Sequence, residues 1–203
     1  MKAVGQPGRK TRLGCGQIDP GYADLGKSEF QCPLPHLRHD LRTVDLTAAE
    51  RHPLIVKRTW ATEDETRAFA ARLARRPAIA NVFIELHGEL GAGKTTLVRH
   101  LLHALGVQGR VKSPTYAVVE PYEVGRLSIW HFDFYRFSDP REWEDAGLRD
   151  LFASPGLKLA EWPEKAGLLL PLADLVLGIE VDADEARQVT MTAQTAAGRE
   201  LLQ

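Results

Sequence analysis

Ile79-Ala80-Asn81-Val82-Phe83-Ile84-Glu85-Leu86-His87-Gly88-Glu89-Leu90-Gly91-Ala92-Gly93-Lys94-Thr95 is the stretch whose reading decides the fold of this chain. Ile79 to Leu86 is apolar with little interruption, which predicts a strand covered on both faces, as in a parallel sheet. It runs directly into Gly88 to Thr95, which fits G-x-x-x-x-G-K-[ST] residue for residue. Backbone amides that turn inward around a polyphosphate need residues without a Cβ, here Gly88, Gly91 and Gly93, and a helix starting near Gly93 aims its N-terminal dipole at the same anion. Lys94 then reaches the β- and γ-phosphates, and the Thr95 hydroxyl ligates Mg²⁺. Leu97, Val98, Leu101, Leu102 and Leu105 recur at helical spacing behind the loop, and Gly106 stops the helix. A chance match to this pattern in a chain of this length has a probability on the order of 1 %. Gly88, Glu89, Leu90, Gly91, Ala92, Gly93, Lys94 and Thr95 are therefore the candidate phosphate-binding residues.

Upstream, Leu54-Ile55-Val56 reads as a short strand, and Thr62-Glu63-Asp64-Glu65 as a capping box that opens a helix reaching about Arg76, where Pro77 ends it. Residues 1–54 differ from everything after them: both cysteines, Cys15 and Cys32, lie there with six glycines and five prolines and no periodic apolar pattern. They are expected to form a disordered extension, with residues 55–203 as one P-loop domain. Two cysteines in 203 residues exclude a disulfide framework, and no run of 18 apolar residues exists to span a bilayer. With 26 basic and 27 acidic side chains the formal charge is −1, which argues against a protein that coats nucleic acid. A cytoplasmic protein without membrane contact is expected. Arg72, Arg75, Arg76, Arg99, Arg110 and Lys112 either form a basic face or are solvated helix surface.

Downstream, three segments carry polar groups. Val111-Lys112-Ser113-Pro114-Thr115-Tyr116 is a polar loop entering the strand-like Ala117 to Glu120, with Thr115 as a γ-phosphate sensor or part of a Ser-Pro turn. After a hairpin around Glu123 to Arg126, the alternation in Leu127 to Arg136 sets His131, Asp133 and Tyr135 on one strand face and Trp130, Phe132 and Phe134 on the other. Ligands in open α/β sheets sit beyond the carboxyl ends of strands, so Asp133 there can organise Mg²⁺ or its waters. Leu157-Lys158-Leu159-Ala160 is a further apolar strand ending in Glu161, a candidate for holding a metal-bound water or orienting the attacking one. Trp162, fixed by Pro163, covers the nucleotide or packs on the core. Leu175 to Glu180 and Gln188 to Ala193 read as a hairpin.

Together Gly88 to Thr96, Lys112 to Tyr116, Val119 to Tyr122, His131 to Arg136 and Glu161 to Glu164 resemble the TsaE (YjeE) family, over about residues 56 to 197. The resemblance implies an α/β P-loop NTPase-like sheet, mostly parallel, flanked by helices, with a C-terminal antiparallel hairpin. It implies ATP and Mg²⁺ as cofactors, an ATPase weak alone, and a partnership with the TsaB–TsaD heterodimer in threonylcarbamoyl transfer to adenosine 37 of tRNAs reading ANN codons. Contact with tRNA is expected to be indirect or weak. Carried over by residue, Thr95 and Glu161 are Mg²⁺ ligands, Asp133 supports metal and water, Thr115 is the switch residue, Thr96 meets the α-phosphate, and Thr66 approaches the adenine side. Two other classes remain open on the residues alone: a small-molecule P-loop kinase, with Arg136, Arg141 and Arg149 as a lid, and a scaffold that binds ATP without hydrolysing it.

Overall fold

The computed structural model describes residues 52–139 and 147–203. The expected extension, apart from its last residues, lies outside the described residues, as do both cysteines and Arg141. Where description begins, chain order is already dense. Strand β1 (Leu54–Trp60) leads into α1 (Glu63–Ala74), then β2 (Phe83–His87) and α2 (Lys94–Leu105). The hairpin β3 (Val119–Val124) and β4 (Leu127–Asp133) follows, then α3 (Leu148–Ala153), β5 (Leu157–Glu161), β6 (Leu175–Val181), β7 (Arg187–Ala193) and α4 (Ala196–Leu202).

The strands form one sheet in the order β1-β7-β6-β2-β5-β4-β3. Its centre, β6-β2-β5-β4, is parallel, and the ladders toward both edges are antiparallel. The α/β expectation holds, with the refinement that parallel pairing is confined to the middle. The expected C-terminal hairpin is β6–β7, with Gly178 opposite Thr190. Position in the sheet follows composition. Every residue of β5 is buried, whereas β1 alternates and exposes Ile55 at 57 %. A strand covered on both faces is mainly apolar and bonds the charged groups it buries, as β5 does with Lys158 to the Ser154 carbonyl and Glu161 to Thr95 and His131, while an edge strand solvates one face.

The reading of Ile79 to Leu86 as one strand needs correction at its start. Pro77–Asn81 is a turn of 3₁₀ helix, and β2 begins at Phe83. Pro77 pre-sets a helical φ at the first position, and the buried Ile79 side chain packs into the core from that turn. Asn81 then accepts the Gly156 amide at 2.9 Å, joining the turn to the start of β5. The capping box at α1 is present, with the Thr62 amide donating to Glu65 Oε2 at 3.2 Å.

Both sheet faces are covered. On one, Phe69, Leu73, Leu97, Leu101 and Leu102 of α1 and α2 meet Ile84, Leu86, Leu159 and Leu177. On the other, Phe83, Phe132, Phe134 and Phe137 pack with Leu148, which opens α3. Truncating a fully buried leucine such as Leu101 to alanine costs about 2–5 kcal/mol. These two cores hold the carboxyl ends of β2, β4 and β5 beside the N-terminus of α2, which positions the site.

Candidate functional site

Between β2 and α2 the chain turns through three glycines in the left-handed region, Gly88 at φ 139°, Gly91 at 85° and Gly93 at 109°. At Gly88 the reason is close approach as well as dihedral: a Cβ there would stand 2.2 Å from the Ile179 carbonyl oxygen of β6. Gly93 is the residue before the first turn of α2. Lys94 opens the helix with its side chain almost fully buried, and its ammonium donates to the carbonyls of Gly88 at 2.5 Å and Glu89 at 3.0 Å. The same ammonium sits 3.9 Å from the centroid of the Trp162 ring. Burial pulls the Lys94 pKa below the usual lysine range, and the negative charges of Glu161, Glu164, Asp133 and Glu89 oppose that shift.

Strands β4 and β5 end level with each other, so that Asp133 and Glu161 are paired neighbours at the carboxyl edge of the sheet. Glu161 spends both oxygens. Oε2 accepts the Thr95 hydroxyl at 2.8 Å, and Oε1 meets His131 Nε2 at 2.8 Å. Asp133 Oδ2 accepts the hydroxyls of Thr115, at 2.7 Å, and of Ser113, while Oδ1 accepts the Tyr135 amide at 3.0 Å. The Thr115 and Ser113 hydroxyl oxygens are also 2.7 Å apart, so the loop after α2 is tied to the end of β4 through Asp133. Trp162 follows Glu161 with a positive φ of 56°, which turns its ring over the cleft and against Tyr135, 5.0 Å between centroids.

These groups enclose a cavity of about 290 Å³ lined by Leu90, Gly91, Lys94, Thr95, Thr115 and Asp133, with Glu161 and Trp162 closing it. The lining fits a polyphosphate with Mg²⁺. Positive-φ glycines present amides, Lys94 presents a cation held by carbonyls rather than by a carboxylate, and Thr95 with Glu161 offers a hydroxyl and a carboxylate oxygen, the hard donors that Mg²⁺ takes alongside water. Of the motif residues, Ala92 is buried against the core, Leu90 is 74 % exposed at the cavity mouth, and Glu89 contributes its carbonyl to Lys94.

A second cavity of about 170 Å³ lies on the other side of the loop, lined by Trp60, Glu63, Thr66, Ala92, Gly93 and Thr96, with Ile179 and Arg187 behind them. It unites Thr66 and Thr96, which are 30 positions apart in sequence. Trp60, Glu63 and Arg187 are additions that sequence reading missed. Their only sequence signal is that Arg187 and Trp60 each stand beside a turn, and it is the β1–β7 pairing that sets them opposite one another. Ser113 and His131 were named in passing, and their ties to Asp133 and Glu161 needed the fold. The six basic residues do not line one concavity. Arg99, Arg110 and Lys112 line a concavity with His103, whereas Arg72 and Arg76 line another with Arg58.

A protein-family model described as "Threonylcarbamoyl adenosine biosynthesis protein TsaE" matches residues 60–189. Among curated proteins, the chain is 43 % identical over 134 residues to the tRNA threonylcarbamoyladenosine biosynthesis protein TsaE of Haemophilus influenzae, covering 66 % of this chain and 84 % of that one. It is 37 % identical over 136 residues to the protein of the same name from Bacillus subtilis, with the same two coverages. Among solved structures, the crystal structure of Bacillus subtilis YdiB superposes with a TM-score of 0.61 at 29 % identity, covering 74 % of this chain and 93 % of that one. Among the described residues no helix is long and apolar enough to cross a membrane.

Proposed function

This chain belongs to the TsaE family of tRNA threonylcarbamoyladenosine biosynthesis, and from that premise we propose that it is the Mg²⁺-dependent ATP-binding and hydrolysing subunit of that modification. It acts with a TsaB–TsaD transferase pair on adenosine 37 of tRNAs reading ANN codons. The observation that carries this reading is the meeting of a phosphate loop with the Thr95–Glu161 pair at 2.8 Å, at the carboxyl edge of a parallel sheet.

The roles follow from position. The loop amides and Lys94 hold the phosphates, and the cost of burying the Lys94 charge is offset by an anion brought within its reach. Thr95 and Glu161 would hold the cation, whose contribution when bound is to neutralise charge that develops on the phosphate oxygens. Asp133 orients the attacking water, and Thr115, bonded to Asp133, links the loop after α2 to the state of the cleft. Trp162 shields the site from solvent over Lys94. Thr66, Thr96 and the second cavity receive the nucleoside side, next to the same loop glycine, Gly93.

A kinase would need an acceptor base. Asp133, with one Oδ1 lone pair left beyond the donors Ser113, Thr115 and Tyr135, serves a substrate hydroxyl as well as a water, so the product separates the two reactions. The test is purified full-length chain incubated with ATP, Mg²⁺ and a metabolite pool, with and without the transferase pair. Phosphate release that rises when the pair is added is the expected result. ATP-dependent phosphorylation of a metabolite overturns the proposal in favour of a kinase.

A further inference from the structure

Among the described residues, one buried ionisable side chain at the site has no role in the reading above. His131 is wholly buried on β4, the strand inside edge strand β3, between Trp130 and Phe132 in the chain. Its Nε2 lies 2.8 Å from Glu161 Oε1, and its Nδ1 is the one buried side-chain nitrogen or oxygen among the described residues with no hydrogen-bond partner. A carboxylate only accepts, so Nε2 carries a proton, and Nδ1 is enclosed by protein with no partner. An unpaired buried polar atom opposes folding, and an apolar side chain in this position would avoid that cost. What the imidazole has in exchange is a single bond, to Glu161.

Glu161 is held from two sides by elements of unequal permanence. Thr95 belongs to the phosphate loop, and its hydroxyl donates its one proton to Glu161 while its lone pairs are open to a cation. His131 belongs to β4, whose ladder to β5 runs without a break from Ile129 to Asp133. When Oε2 faces a cation, Oε1 remains tethered to His131. Without that tether a nearly buried carboxylate shares its cleft with the Lys94 ammonium and has a competing place to go.

We propose that His131 is a positioning residue, which through its Nε2 bond keeps the Glu161 carboxylate aimed at the cation position rather than at Lys94. The proposal rests on the reading of Glu161 as a cation ligand. The test is the gain in ADP affinity on adding Mg²⁺, measured by calorimetry as the ratio of Kd without and with the ion. His131→Leu fills the apolar space, and in it the gain falls about tenfold, the size usual for losing a hydrogen bond that orients a metal ligand, while the Kd without Mg²⁺ is unchanged. His131→Gln can place an amide N–H near the position of Nε2 and restores most of the gain. In the Glu161→Gln background, His131→Leu changes nothing further. An unchanged gain in His131→Leu, or an equal loss of affinity with and without Mg²⁺, overturns the proposal. Should the leucine variant fail to fold, failure of His131→Gln to keep the gain while its melting is cooperative overturns it as well. A wild-type chain with no Mg²⁺-dependent gain would instead refute the cation site itself.

Discussion

The two sides of the loop between β2 and α2 differ in what they can hold. On the β4–β5 side the cavity is walled by Lys94, Asp133, Glu161 and hydroxyls, each fixed by bonds of 2.5–3.0 Å. On the β1–β7 side it is smaller and walled by Trp60, Ile179, Thr66 and Arg187, with Glu63 at its margin. Charge held rigidly at close quarters suits a polyanion and a cation, whereas an indole, an aliphatic chain and a few polar groups suit a flat heterocycle with its sugar. On the proposed reading the loop separates chemistry from recognition, with Gly93 and Thr96 lining both cavities.

The most severe way to break that comparison is Lys94→Ala. It removes the loop cation, and nucleotide affinity should fall by about 3 kcal/mol, more than 100-fold, in a calorimetric titration. Unchanged affinity would show that the β4–β5 side is not the phosphate side. Next in size is Glu161→Gln, which keeps shape and removes charge. Multiple-turnover tRNA modification should drop about 10- to 100-fold while ATP binding survives. Modification that continues at the wild-type rate would favour a scaffold that binds ATP without hydrolysis. Arg187→Ala tests the other side. Affinity for ATP should weaken by roughly tenfold or less, and affinity for inorganic triphosphate should stay as it was, since only the nucleoside meets that wall. Equal loss for both ligands would place Arg187 on the phosphates.

The smallest effect concerns pH. His87 lies between Glu85, at 3.0 Å, and Glu164, at 3.3 Å, and the hydrogen bond to Glu85 is the main cause that raises its pKa above 6.5, against the opposing effect of burial. A folded-state pKa above the unfolded one gives stability that is complete below about pH 6.5 and is lost as pH climbs through the folded value. His87 is partly exposed, so the contribution is no more than about 1 kcal/mol. Thermal melting of the wild type should decline slightly from pH 6 to 8 relative to His87→Gln. Parallel curves for the two proteins would remove this contact from the account.

The sequence carried the loop in full, because its eight residues are contiguous and each answers a local demand of dihedral, dipole or charge. It also carried Asp133 and Glu161, because an apolar strand that ends in a carboxylate is a local pattern. The start of β2 was misread for a physical reason. Ile79 and Ala80 are as apolar as a strand requires, and buried helical turns and buried strands share that composition. Pro77 was the available sign that the chain turned first. Arg187 and Trp60 were invisible because an isolated arginine after a turn and a tryptophan at a strand end have many ordinary explanations.

What the sequence by itself determined was the local geometry: three glycines, a lysine and a threonine between a strand and a helix, the proposed phosphate site, form a positive-φ turn leading into α2. Only the tertiary structure decided its partners. The register of β4 on β5 brings Asp133 beside Glu161 and lets His131 reach its carboxylate, and the pairing of β1 with β7 carries Arg187 to the back of the loop. Those contacts join positions from 28 to more than 100 residues apart, and they follow from which strands pair and in what register, a choice made by the whole core at once.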